Sequence, residues 1–245
     1  SGESWGGPGF TPLLMKCTTN GLPDMVVYCE AAGMWFGRTF DGATLFWGVS
    51  WGGPGLTPVP GDYNGDGVAD LALFHSGSGT WYVSGLNGTI LAWGVVSGTA
   101  GCLAVPGDYD ADGCSDLAAY DPATGVWTIR KITGESIIEG AICGGPGLTP
   151  APGDFDGDER SDLALYAVAS GLWHVFSQAG GWLVWGEAWG GPGFVPVSGD
   201  YDGDGSTDLS VYDTASGNWY VRTKSGAVVF WNKLFGNSTM TPVSN

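Results

Sequence analysis

An all-β chain made of five copies of one four-stranded repeat is predicted by three observations. An acidic loop recurs: Asp62, Asp108, Asp154 and Asp200 each open a stretch of alternating acidic or amide residues, and successive copies stand 46 residues apart. A tryptophan recurs with the same period at Trp35, Trp81, Trp127, Trp173 and Trp219. Gly 45 and Pro 14 among 245 residues, with no long helix-favouring run, indicate many short strands joined by tight turns. Four-stranded repeats of roughly 40 to 50 residues are the sequence signature of a β-propeller, so the expectation is a five-bladed one. The repeats run over about 5–50, 51–96, 97–142, 143–188 and 189–234. Residues 235–245 align with the opening of a sixth, as a closing strand, a cap or the start of a longer array.

The repeat that begins at Trp51 shows the order of elements. A Gly52-Gly53-Pro54-Gly55 turn leads to a strand at Thr57-Pro58-Val59, the acidic loop follows, and Leu71 to Phe74 form the second strand. A Ser-Gly turn, a third strand at Trp81-Tyr82-Val83, the hairpin signal Asn87-Gly88 and a fourth strand ending at Trp93 complete it. With 43% hydrophobic and 13% aromatic residues the chain can bury a large core. No apolar run approaches the ~18 residues of a membrane-crossing helix, so membrane insertion is not expected.

The acidic loop is built to hold a cation. Carboxylates or amides at its first, third, fifth and ninth positions, joined by the backbone carbonyl of the seventh, converge on one point once a glycine at the sixth permits the sharp turn. Donors that are all oxygen select a hard ion, calcium, and four loops imply about four ions. The expected ligand sets are Asp62, Asn64, Asp66, Val68 and Asp70; Asp108, Asp110, Asp112, Cys114 and Asp116; Asp154, Asp156, Asp158, Arg160 and Asp162; and Asp200, Asp202, Asp204, Ser206 and Asp208. Lying between the first and second strands of a repeat, the ion would clamp two chain segments. The formal charge of −17 disfavours nucleic acid as a partner. Four divalent ions would roughly halve it, so much of the acidity is ligand chemistry.

Departures from the repeat are informative. The first repeat has Lys16, Thr18, Asn20 and Asp24 at the ligand positions and should hold no calcium. Cys17 and Cys29 flank this loop on strands expected to be neighbours, so a disulfide is expected to replace the ion there. Cys102 and Cys143 interrupt two inter-blade turns as a second candidate pair, which leaves Cys114 alone. Disulfides would suit an exported protein. Glu159 replaces the loop glycine of the fourth repeat and should strain that turn.

Pro58 to Gly67, Ser115 to Trp127 and the Trp-Gly steps at Trp47, Trp93 and Trp185 resemble the bacterial FG-GAP or VCBS-type repeat over essentially the whole chain. That family is similar to the calcium blades of the integrin α-subunit propeller. The resemblance implies a calcium-stabilised propeller that is secreted, displayed on the cell surface or periplasmic. It implies no single activity, because such repeats occur in adhesins, in lectins and beside carbohydrate-active enzymes.

The five third-strand tryptophans are expected in the core. Trp5, Trp51 and Trp189 lie in glycine-rich turns, and Trp47, Trp93, Trp185 and Trp231 end fourth strands beside loops. Aromatic faces stack on sugar rings, so Trp5, Trp51, Trp93, Trp185 and Trp189 are the candidate ligand residues. The expected function is a carbohydrate-binding module with repeated shallow sites between blades that gain avidity together. A polysaccharide lyase or hydrolase would instead break the symmetry at one place. The third repeat does so with Arg130, Lys131, Glu135 and Glu139, although the expected role of these charges is a solvated blade edge that discourages edge pairing. His75 and His174 are the two histidines, and no Ser-His-Asp order, zinc motif or phosphate loop stands out. A protein-binding adhesion module is the remaining alternative.

Overall fold

The computed structural model describes residues 6–235 and residue 242. Trp5 and most of the expected closing segment lie outside the described residues. Among the described residues twenty strands form five four-stranded sheets, each in plain sequence order, so the fold is the five-bladed β-propeller that the repeat predicts. The first blade holds β1 (Phe10–Met15), β2 (Asp24–Cys29), β3 (Met34–Arg38) and β4 (Thr44–Ser50). The second holds β5 (Thr57–Pro58), β6 (Leu71–His75), β7 (Thr80–Ser84) and β8 (Ile90–Val96). The third holds β9 (Leu103–Ala104), β10 (Leu117–Asp121), β11 (Val126–Arg130) and β12 (Ser136–Ile142). The fourth holds β13 (Leu148–Pro150), β14 (Leu163–Ala167), β15 (Leu172–Ser177) and β16 (Gly181–Ala188). The fifth holds β17 (Phe194–Pro196), β18 (Leu209–Asp213), β19 (Asn218–Arg222) and β20 (Val228–Leu234). The chain divides into two compact units, one of Ser1–Pro106, Gly113–Ala119 and Thr128–Glu139, the other of Gly107–Asp112, Tyr120–Trp127 and Gly140–Asn245. Among the described residues no helix is long and apolar enough to cross a membrane.

Burial follows position within the blade. The second strands β6, β10, β14 and β18 are buried over four consecutive residues, as a strand covered on both faces must be. In β3, β11 and β15 burial alternates, and Trp35, Trp81, Trp127 and Trp173 are fully buried as expected of a core residue, whereas Trp219 of the fifth blade is only half-buried. Each of the five indole N–H groups donates to a backbone carbonyl sixteen residues on, in Trp51, Ser97, Cys143, Trp189 and Phe235, at 2.7–3.2 Å. The bond satisfies the one polar atom of the ring and pins the chain as it leaves the fourth strand.

The Gly-Gly turns are explained by packing. The hydroxyls of Tyr28, Tyr120 and Tyr166 each accept the N–H and donate to the carbonyl of Gly53, Gly145 and Gly191, at 2.9–3.3 Å. The preceding glycine sits so close that a Cβ on Gly190 would meet the Tyr166 hydroxyl at 2.4 Å. Phe74 stands at the tyrosine position of the second blade and has no hydroxyl. There the equivalent N–H, that of Thr99, turns to the Cys102 sulfur at 3.2 Å.

That contact corrects one cysteine expectation: the cysteines form no disulfide, and buried Cys102 replaces a missing tyrosine hydroxyl. The Cys17–Cys29 disulfide fails on register. Cys29 lies opposite Phe10, whereas Cys17 follows Met15, which pairs with Asp24, five rungs away. At ~3.4 Å per rung the two exceed the reach of a disulfide several-fold. Strand length carries Cys29 to the far end of the sheet.

Trp-Gly steps on the fourth strands are β-bulges. Tyr82 pairs with Trp93 and Trp81 with Val95, which leaves Gly94 as the extra residue at φ +71°. Gly48 and Gly186 repeat this at φ +69°. A bulge on an outer strand bends it and discourages pairing with another chain.

Candidate metal loops and an aromatic ligand surface

The acidic loops share a scaffold of backbone bonds. The ninth-position carboxylate accepts the N–H of the second residue: Asp70 from Tyr63, Asp162 from Phe155 and Asp208 from Tyr201, each at 2.9 Å. Asp24 does the same for Cys17 at 3.2 Å in the loop that lacks the other acids, so this aspartate is a backbone clamp even without a cation set. First-position carboxylates cradle the turn. Asp154 accepts N–H groups from Gly157, Asp158 and Glu159 at 2.6–3.1 Å, and Asp62 and Asp200 repeat the pattern. In the third blade Asp108 accepts from Asp110, Ala111 and Asp112, while Asp116 is buried. Adjacent loops are also linked: the carbonyls of Lys16, Asp62, Asp108 and Asp154 accept the N–H groups of Ala69, Ser115, Ser161 and Thr207 at 2.5–2.7 Å.

The structure brings together the first, third and ninth positions. One carboxylate oxygen from each of Asp154, Asp156 and Asp162 lies within 4.8 Å of the others, as does one from each of Asp200, Asp202 and Asp208, and these groups can hold a metal ion. Fifth-position Asp66, Asp158 and Asp204 are turned to the N–H groups of Val68, Arg160 and Ser206 at 2.8–3.0 Å instead. Oδ1 of Asp156 and of Asp162 is buried without a hydrogen-bond partner, a costly state for a carboxylate unless a cation or proton meets it. Burial, with the neighbouring carboxylates adding to it, pushes Asp162 up to about 7 and Asp70 up to about 6, and raises Asp208 as well. In the second blade Asn64 Nδ2 donates to Asp70 Oδ1 at 2.9 Å, which partly relieves that crowding.

Glu159 holds φ +69° and Ala111 φ +62°, in the left-handed region where other loops place glycine. Glu159→Gly is expected to stabilise the chain by about 1 kcal/mol, because the Cβ clash is removed while the N–H to Asp154 stays. Urea unfolding at fixed calcium checks this, and an unchanged or lower midpoint would show that the strain is absent.

The aromatic residues separate into buried and presented ones. Trp47, Trp93, Trp185 and Trp231, at equivalent places on four outer strands, are 66–68% exposed. Each is braced edge-on by the third-strand residue beneath: Phe36, Tyr82, His174 and Tyr220, with centroids 4.8–5.4 Å apart. Trp51 and Trp189 are half-buried and act as second braces, 5.7 Å from Trp93 and 5.6 Å from Trp231. The presented set therefore includes expected Trp93 and Trp185 and adds Trp47 and Trp231. The signal for those two was their Trp-Gly or Trp-Asn step, which lies inside β4 and β20 and not at a strand end as expected, because each strand resumes pairing after the bulge.

Symmetry-breaking residues are dispersed. Glu139, where other blades have the presented tryptophan, pairs with Arg130 and accepts the Ser136 hydroxyl at 3.1 Å. His75 is hydrogen-bonded to Ser78 at 2.8 Å. His174 lies against Trp185, and burial lowers its pKa. These groups stand on three different blades.

No protein-family model matches the chain, and no curated protein does. Among solved structures it is similar to an Agrocybe aegerita lectin described as recognising non-reducing terminal N-acetylglucosamine, with TM-score 0.61, 16% identity, and coverage of 93% of this chain and 67% of that one. It is similar also to a streptogramin B lyase, with TM-score 0.58, 11% identity, and coverage of 92% and 70%. A catalytically inactive virginiamycin B lyase from Staphylococcus aureus with quinupristin gives TM-score 0.61, 10% identity, and coverage of 94% and 72%. At these identities the likeness is one of fold.

Proposed function

We propose that this protein is a carbohydrate-binding propeller whose blade loops are held by calcium and which works outside the cytosol. The observation that supports this reading is the repeated presentation of Trp47, Trp93, Trp185 and Trp231, each with its ring two thirds exposed and braced from below. A rigid, exposed indole stacks on the apolar face of a sugar ring with little loss of side-chain freedom, and several weak sites on one chain add avidity. The lectin neighbour agrees with such a use of the fold, and the lyase neighbours keep turnover as an outcome to be measured. Calcium would sit among the first-, third- and ninth-position oxygens, where Asp156 and Asp162 offer bare acceptors, and would fix the loops rather than touch the sugar. With no disulfide formed, an extracellular setting rests on the millimolar calcium that weak oxygen sites need.

A glycan array in calcium, followed by calorimetry on a positive glycan, tests the reading. Adding Trp93→Ala, Trp185→Ala and Trp231→Ala in turn should weaken binding stepwise, by about a hundredfold in apparent affinity for the triple variant. Full binding by the triple variant would remove the presented tryptophans from the function. Unsaturated or reducing-sugar products would replace the lectin reading with an enzymatic one.

A further inference from the structure

We infer that the carbohydrate surface is not uniform, and that its selective site lies at the border of the fourth and fifth blades, where Trp231, Asn232, Tyr220, Trp189, Arg222 and Glu187 would take a neutral sugar with vicinal hydroxyls. This rests on the proposed function and assigns its specificity to one place.

Three features set this border apart. The bulge residue after the presented tryptophan is Gly48, Gly94 or Gly186 in the other tryptophan-bearing blades, a bare backbone at φ +69° to +71°. In the fifth blade it is Asn232 at φ +56°, a conformation that asparagine accepts more readily than most residues. The substitution puts an amide against Tyr220, the ring that braces Trp231. Its Oδ1 accepts the Tyr220 hydroxyl at 2.8 Å, which leaves the exposed NH2 group as a donor for a ligand.

Arg222 is the second feature. Its guanidinium lies over the Trp189 ring, 5.3 Å from the centroid, with its side chain 13% exposed, and Nη2 is 3.4 Å from Glu187 Oε2. Nε and Nη2 are buried and make no hydrogen bond. The buried guanidinium fixes Trp189 and the carboxylate in place, so that a sugar hydroxyl can donate to the half-exposed Glu187 carboxylate and a neighbouring hydroxyl can accept from the Asn232 amide.

Charge decides the class of sugar. The Arg222–Glu187 pair is neutral as a whole and its more exposed member is the carboxylate, on a chain of net charge −17. A uronate or sialate would meet Glu187 before it met the guanidinium. Trp189 joins the two halves of the site, 5.6 Å from Trp231 on one side and stacked by Arg222 on the other.

The second blade is a natural control within the same molecule. Its Trp51, Tyr82 and Trp93 reproduce the aromatic trio, but Val49, Ser84 and Gly94 stand where the fifth-blade site has Glu187, Arg222 and Asn232. Stacking is shared between the two places and the polar reading is not.

The test is calorimetry of the full chain in calcium with a panel of neutral methyl glycosides and a methyl glucuronide. Asn232→Gly installs the residue that other blades carry at this bulge, so the fold is retained. Asn232→Gly and Glu187→Gln should each weaken the best neutral glycoside about tenfold, equivalent to ~1.4 kcal/mol. Trp231→Ala should weaken it more than Trp93→Ala does, and the glucuronide should bind at least about tenfold more weakly than the best neutral ligand. Unchanged affinity in Asn232→Gly and Glu187→Gln, equal losses for Trp231→Ala and Trp93→Ala, or a preference for the glucuronide would each overturn this inference alone. Absence of binding to any glycoside or polysaccharide would overturn the carbohydrate reading with it.

Discussion

Chelation of calcium near pH 7.5 is expected to lower the melting temperature by roughly 10–20 °C and to reverse the pH dependence of stability. A site saturated at about a hundred times its dissociation constant contributes ~2.7 kcal/mol, and in a domain of this size each kcal/mol moves the midpoint by about 2–4 °C, so two such sites suffice. The sign of the pH effect follows from the buried ninth-position aspartates. Without metal, Asp70 titrates at about 6 and Asp162 at about 7 when folded, against an ordinary value of 3.8, with burial as the first cause and neighbouring carboxylates following. The folded state then holds more protons than the unfolded one between these values. The stabilisation is fully present below about pH 4 and is lost as pH rises through 6 to 7. With calcium bound the same oxygens are ligands, protons compete with the ion, and stability is lost as pH falls. Melting curves from about pH 5 to 8, with calcium and with chelator, should therefore slope in opposite directions. Parallel slopes, or a melting point indifferent to chelator, would mean that the loops are held by their backbone bonds alone.

Trp173→Ala should be the most destabilising single substitution in the second compact unit, at about 3–5 kcal/mol. The indole is fully buried, packs 5.2 Å from Tyr166 and 6.4 Å from Phe155, and donates to the Trp189 carbonyl at 3.0 Å. Removing it leaves both a cavity and an unpinned connection. Tyr166→Phe separates these effects, since it keeps the ring and deletes a hydroxyl bonded to both polar groups of Gly191. Its expected cost is about 1–3 kcal/mol, the penalty for stranding a buried N–H. Phe74 shows that the chain tolerates the loss where Cys102 offers sulfur to the orphaned Thr99 N–H. Equal midpoints for Tyr166→Phe and the parent would mean that water replaces the hydroxyl.

Fold and loops were legible because they repeat. A 46-residue period carries strand order, buried tryptophan and acidic loop together, so each copy confirms the others. Single events were harder. Cys17 lies two residues past the end of the strand that pairs with the one ending at Cys29, yet the antiparallel register carries the two to opposite ends of the sheet. Cys102 looked like half of a disulfide because its compensation for Phe74 crosses from one blade to the next, a relation that linear spacing does not encode.

The sequence by itself determined the blade count, the strand order, the core tryptophans and which loops carry an acidic ligand set, because those depend on local pattern and its period. Tertiary structure alone decided which tryptophans are presented and which serve as braces. Trp51 and Trp93 both border turns in the chain, but a bulge at Gly94 accompanies the exposed ring of Trp93, while the connection that carries Trp51 folds back against Tyr82 and Trp93. Long-range packing also placed Arg222 over Trp189 and beside Glu187, since residues from two blades meet only after both sheets have formed.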